Sequence, residues 1–281
     1  VIFTLLASTL AARSLAAHDL WLVPDEGKSN APLRVWAISG MKFPVGDVGP
    51  DPGKFIKRWV LDPKGRELAC DPVHPALDLF GKPSKQYGLM HCTPTLPGIH
   101  IVAVQTQPRL LELDAEAFNH YLVADGLPHI YLQRHEDKSL QQKARERYSK
   151  SPKAIFAIGD AGQGNASVVL GLPLEIVPLT NPFRLKPGET LPIRVLFQGK
   201  PLAEANVGWD FPGAEFAPRG TARTDAAGEA LIPISRTGLY ALRLTHMTRP
   251  RTPEYEWESF WTTLTWRIPQ NPPIAEPATR P

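Results

Sequence analysis

The clearest periodicity in the chain lies in its last third. Between residues 174 and 268, apolar and polar positions alternate in short runs broken by turn residues. Side chains along a strand point to opposite faces in turn, so the alternation predicts strands at about 174–178, 190–198, 204–211, 220–225, 229–234, 238–247 and 256–268. Gln198-Gly199-Lys200-Pro201 and Asp225-Ala226-Ala227-Gly228 supply turns between them. Seven short strands at this spacing predict an immunoglobulin-like or prealbumin-like sandwich.

Upstream the pattern is less regular. Residues 32–39, 55–61, 87–92 and 99–106 read as strands, and Asp62-Pro63-Lys64-Gly65 reads as a turn. Residues 42–54 and 71–85 carry no clear period. The texture changes at Asp114, which can cap a helix carrying Phe118, Tyr121 and Leu122 on one face. Pro128 fits the first turn of a second helix. Ser139-Leu140-Gln141-Gln142 matches a capping box, and Leu140, Ala144 and Tyr148 recur every four residues. A third, basic helix is therefore predicted to about Lys150. The expected architecture is mainly β. An N-terminal sandwich spans 18–113, a helical insertion 114–158, a Gly-rich linker 159–172 and a second sandwich 173–268. Residues 269–281 hold five prolines and are expected to be a disordered tail.

Composition agrees with many turns and few long helices, at 30 Pro and 21 Gly in 281 residues. The formal net charge of +3 is too small to argue for a nucleic-acid partner, and no basic stripe carries interleaved aromatics. Residues 1–12 are apolar, too short to span a bilayer but suited to the core of a secretory signal, with 1–17 as the whole leader. The expectation is an exported, periplasmic protein with no transmembrane span in its mature part. Ser14-Leu15-Ala16 fits a cut after Ala16, and a cut after Ala17 leaves His18 first. In an oxidising compartment Cys70 and Cys92 are expected to pair as a disulfide. The rival is a soft-metal site from Met90, His91 and Cys92.

An N-terminal His18 could chelate a metal through its amine and its ring. In the strand 238–247, His246 shares a face with Tyr240, Leu242 and Leu244. In the strand 256–268, Glu258 shares one with Phe260, Leu264 and Trp266. Both faces read as inward, so His246 and Glu258 need partners. They can satisfy each other at the sandwich rim. Alternatively, His18 and His246 supply three nitrogens to one metal, an arrangement similar to the histidine brace of copper-dependent polysaccharide monooxygenases. Such a set favours Cu(II) or Ni(II), with Glu258 or Asp19 in support. If no metal is held, His18 is a polar strand start and Trp21 a core anchor. His74, His91 and His100 form another group whose spacing matches no familiar ligand pattern, with His100 pointing out of its strand. His120, His129 and His135 read as surface or packing residues. No Gly-x-Ser-x-Gly, His-Glu-x-x-His or nucleotide loop is present, so no enzyme is expected.

Two resemblances add to this. Gly199-Lys200-Pro201-Leu202-Ala203-Glu204-Ala205-Asn206-Val207, Thr224-Asp225-Ala226-Ala227-Gly228-Glu229-Ala230 and Gly238-Leu239-Tyr240-Ala241-Leu242-Arg243 resemble the carboxypeptidase-regulatory, prealbumin-like module. The second covers nearly the whole chain after the leader. It rests on Ala17-His18-Asp19-Leu20-Trp21-Leu22, Phe118-Asn119-His120-Tyr121-Leu122, Asp125-Gly126-Leu127, Arg145-Glu146-Arg147-Tyr148-Ser149-Lys150, Leu244-Thr245-His246-Met247 and Trp257-Glu258-Ser259-Phe260-Trp261. Together these are similar to the exported bacterial family described as nickel-uptake substrate-specific, or NikM-like, and otherwise called a domain of unknown function. The resemblance implies a periplasmic protein that handles nickel or cobalt, with a membrane metal transporter as partner; copper is the further option left by the nitrogen donors. The expected metal residues are His18, His246 and Glu258. The alternative is a metal-free adhesion or carbohydrate-binding module.

Overall fold

The computed structural model describes residues 18–77, 83–213 and 219–270. In chain order its strands are β1 (Asp19–Pro24), β2 (Leu33–Gly40), β3 (Phe55–Leu61), β4 (His74–Leu77), β5 (Pro83–Cys92), β6 (Gly98–Thr106), β7 (Arg109–Leu113), β8 (Ala144–Lys150) and β9 (Lys153–Ile158). After these come β10 (Leu174–Pro178), β11 (Thr190–Phe197), β12 (Lys200–Pro201), β13 (Asn206–Asp210), β14 (Gly220–Arg223), β15 (Glu229–Pro233), β16 (Gly238–Thr248) and β17 (Trp257–Ile268). Two helices, α1 (Ala115–Ala124) and α2 (Pro128–Glu136), lie between β7 and β8. The mainly β architecture expected from the alternation is the observed one, and each of the seven strands read in the last third is present.

A central sheet runs in the order β14-β13-β16-β17-β9-β6-β3, with β8 paired to β17 and β7 to β8. It crosses the boundary expected between two sandwiches, because β17 pairs in parallel with β8 through Trp257–Trp261 and with β9 at Leu264 and Thr265. A four-stranded sheet, β1-β2-β5-β4, covers one face of this layer, where Leu22, Leu33, Val35 and Met90 pack on Val102, Val104, Ala154 and Phe156. A second small sheet, β10-β11-β12 with β15 on β11, covers the other face. There Ile176, Leu191, Ile193 and Ile232 meet Tyr240, Leu242, Leu264 and Trp266. Alternation along β16 and β17 thus buries both faces of the central sheet, each against a different partner.

The helices complete the layer on the β1 side. Phe118, Tyr121 and Leu122 are buried as their spacing predicts, against Met247, Trp257 and Trp261. The Asp114 carboxylate caps α1 by accepting from the Ala117 N–H. Gly126, left-handed at φ 73°, ends it, and the Leu127 N–H returns to the Leu122 carbonyl.

Three expectations are corrected. The basic helix predicted to Lys150 is strand β8, held between β7 and β17. Alternate burial at Ala144 and Glu146 and a ladder on each side prevail over a four-residue apolar spacing that also fits a period of two. Residues 71–85 contain β4 and the start of β5. His100 does not point out; it is fully buried, stacked on Phe156 at 5.1 Å, and its Nδ1 donates to the Gly98 carbonyl at 3.0 Å. The expected disordered tail at 271–281 lies outside the described residues.

Candidate functional site

Strand β1 lies with one edge against the central sheet. Thr263 and Thr265 of β17 donate their hydroxyls to the carbonyls of Leu20 and Leu22. Lys150 at the end of β8 donates to the carbonyl of His18. The odd-numbered face of β16 and β17 therefore receives β1, and it places His18 and Asp19 in a polar seam bounded by β8, α1, β13 and β16. Trp21 anchors the same strand, buried edge-on against Phe43 at 5.3 Å.

Asp19 is buried and paired. Its Oδ2 accepts from Arg243 Nη1 at 3.0 Å, and Arg243 Nε lies 3.7 Å from Asp210 Oδ2. His18 Nε2 stands 3.5 Å from Asp47 Oδ2. Behind them, Glu146 Oε1 accepts from the Tyr121 hydroxyl at 3.1 Å and from Ser259, whose Oγ also receives the Trp261 indole N–H at 2.9 Å. The carboxylates of Asp19, Asp125, Glu146 and Asp210 thus share the seam with Lys150 and Arg243, with Arg219 acting on Asp210 and Arg109 on Lys150 from its margins.

Burial dominates the titration of these groups. It pushes Asp125 up to about 8, helped by the negative charge of Asp19 and opposed by Arg243 and Lys150. Glu146 rises to about 7 and Asp210 to about 6 for the same first reason. Lys150 falls to about 8, since the carboxylates around it only partly offset its loss of water.

A small pocket of about 140 Å³ opens on this seam. Asp19, Asp125, Asn206, Thr221, Arg243 and Thr245 are among its walls. The end of α1 supplies Asp125, and the Asn206 amide of β13 fixes that end by donating to the Gly126 carbonyl at 2.9 Å. Among the described residues, Asp125 Oδ2 has no hydrogen-bond partner although it is buried, and the same holds for Glu146 Oε2 and Asp210 Oδ1. A buried carboxylate oxygen without a donor is costly, so the wall at Asp125 is incomplete as a purely structural contact.

The residues expected to hold a metal are not brought together. His246 lies on the even-numbered face of β16, against Phe197 at 4.5 Å, with Phe197 in turn on Phe260. The central sheet separates it from His18. Burial pushes the His246 imidazole down to about 4, aided by the charge of His129, so it is neutral at physiological pH. Glu258 is engaged by Arg147 at 2.8 Å rather than by His246. Among the described residues, no group of three or more His, Cys, Asp or Glu is poised as it stands to hold a metal ion. Cys70 and Cys92 form the expected disulfide, with Cα atoms 4.5 Å apart.

Sequence reading located His18 and Asp19 but missed Asp125, Lys150, Asp210 and Arg243. Arg243 carried a usable sign. It follows the buried apolar Leu239 and Ala241 on one face of β16, where a charge needs a counterion.

A family model described as "Domain of unknown function (DUF4198)" matches residues 15–248, a span that holds His18, Asp19, Asp125, Lys150 and Arg243. The chain belongs to the DUF4198 family. No curated protein matches the sequence. Among solved structures, this DUF4198 chain is similar to the D0-D1 domain of intimin at 9% identity, over 89% of this chain and 98% of that one, with a TM-score of 0.20. It is also similar to domains MG0-NIE-MG1 of native alpha-2-macroglobulin from Escherichia coli at 10% identity, over 85% and 96%, again at 0.20. At such scores the description of the fold rests on the strand pairing and not on these likenesses. Among the described residues, no helix is long and apolar enough to cross a membrane.

Proposed function

We propose that this DUF4198 chain is an exported, non-catalytic binding module that holds one small cation in the pocket between Asp19 and Asp125. The observation that carries the reading is Asp125 Oδ2, a buried atom of a pocket-lining residue that has no donor among the described residues. Near neutrality burial leaves Asp125 and Glu146 holding protons that the other carboxylates have lost. A cation in the pocket would replace such a proton.

The donors there are carboxylate, amide and hydroxyl oxygens, which suit hard ions such as Ca(II), Mg(II) or Mn(II) better than Ni(II), Co(II) or Cu(II). The set His18, His246 and Glu258 does not fit a transition metal, because the sheet stands between the two imidazoles. The nickel-uptake role implied by the resemblance therefore gains no support from this pocket.

The test is calorimetric titration of the full chain at pH 7 with Ca(II), Mg(II) and methylammonium, in two buffers of different ionisation enthalpy. The reading expects one site, proton release on binding, and loss of that site in Asp125→Asn. Binding that is absent, or indifferent to Asp125→Asn, overturns it.

A further inference from the structure

On the outer face of the four-stranded sheet, away from the seam, His74 of β4 and His91 of β5 stack on each other. Their ring centroids are 5.5 Å apart and the planes differ by 27°. The register explains the meeting. His74 lies opposite Leu89, so His91, two residues further along β5, projects from the same face.

Each ring turns its Nδ1 toward a neighbouring oxygen. His74 Nδ1 is 3.1 Å from the carbonyl of Pro75. A carbonyl only accepts, so Nδ1 carries the proton and the lone pair is left on Nε2. His91 Nδ1 faces the carboxylate of Asp71, with Oδ2 at 3.7 Å, which favours the proton on the same nitrogen. Imidazoles that bind metals are oriented this way, with one nitrogen to a carbonyl or carboxylate and the other toward the ion.

The local frame is rigid. Asp71 follows Cys70 and His91 precedes Cys92, and these cysteines form the disulfide. The Asp71 N–H also donates to the His91 carbonyl at 2.9 Å. The neighbouring positive charge is taken up, since Arg34, opposite His91 on β2, is turned to Asp25 at 2.6 Å.

We infer that His74 and His91 form a two-imidazole site for one borderline divalent transition-metal ion, oriented by the Pro75 carbonyl and the Asp71 carboxylate, with water completing the coordination. Imidazole nitrogens suit Cu(II), Ni(II) and Zn(II). Bonds of about 2.0–2.1 Å let one ion join two nitrogens about 3–4 Å apart, closer than the 5.5 Å between these ring centroids, so binding requires the rings to reorient about their side-chain torsions. Both side chains are partly exposed, which leaves the ion a path. The inference is independent of the Asp125 pocket.

The experiment titrates Cu(II) alone into the full chain, followed by calorimetry and electron paramagnetic resonance. Wild type should take up one ion whose spectrum shows coupling to two nitrogens. His74→Ala and His91→Ala should each weaken it by about 10-fold or more, and Asp71→Asn by about 10-fold. Asp125→Asn should leave this ion in place, which separates the site from the pocket. The variants lie on the surface, and an unchanged thermal midpoint certifies that they fold. The inference is overturned if wild type takes up no Cu(II), or if the His74→Ala/His91→Ala double variant binds with the same stoichiometry, affinity and spectrum as wild type.

Discussion

At the scale of single residues, the seam predicts an unusual dependence on pH. Asp125 is raised from 3.8 to about 8 in the folded chain. Below the unfolded value the group is protonated in both states and its contribution is fully present. As pH rises toward 8 the unfolded chain gives up the proton first, so stability is lost across that window and levels off above it. Asp125→Asn, which keeps the shape of the protonated side chain, removes the loss. The variant should match wild type near pH 4 and exceed it at pH 8, by at most about 1.4 kcal/mol for each pH unit in the window. Denaturant unfolding at the two pH values measures this; an equal difference at both would refute the assignment. A second prediction concerns Lys153 and Glu175, paired at 2.7 Å with both side chains 1% exposed. Glu175 also accepts the backbone N–H groups of Leu170, Gly171 and Leu172. Lys153→Met strands a buried carboxylate and should cost about 3–5 kcal/mol. Lys153→Met/Glu175→Gln should recover part of that, and a double-mutant cycle measures how much.

At the scale of elements, the contrast between β8 and the last third of the chain shows what the sequence makes legible. In β16 the residues Tyr240, Leu242 and Leu244 alternate with polar or small ones, and only a strand puts them on one face. In β8 the run Ala-Arg-Glu-Arg-Tyr-Ser-Lys carries four charges in seven residues, and its strand identity comes from β7 and β17 on either side. No local pattern encodes a parallel pairing with residues more than a hundred positions away. The same holds for the site. His18 and Asp19 stand out in sequence, but Asp125 ends a surface helix and Lys150 looks solvated until the β17 pairing buries it. Hydrogen exchange tests β8 directly. Amides from Ala144 to Lys150 should be protected on the strand pattern; an i to i−4 helical pattern or rapid exchange would contradict it. The disulfide closes a separation of 22 residues and fastens β5 to the segment ahead of β4. Cys70→Ala/Cys92→Ala should lose about 3 kcal/mol in the chain-entropy account, measurable as a lower denaturant midpoint.

At the scale of the whole molecule, the central sheet joins what the pattern divides into two sandwiches. Strands β16 and β17 present Tyr240, Leu242, Leu264 and Trp266 to one small sheet, and Leu239, Ala241, Trp257 and Trp261 to β1 and α1 on the other side. A chain cut at residue 173 keeps the first partner and loses the second. It also removes β8 and β9, leaving β17 with an unpaired edge beside an exposed apolar face. The fragment 173–270 should therefore bind a hydrophobic dye and self-associate, although its strands are the ones most plainly written in the sequence. In the intact chain neither half can open without uncovering the other, so heat unfolding should be one transition, with equal calorimetric and van't Hoff enthalpies. Two resolved transitions, or a soluble monomeric fragment without dye binding, would mean that the continuous sheet does not couple the halves. The pocket at Asp19 and Asp125 would then depend on docking of independent domains, since its walls come from β1, α1, β13 and β16.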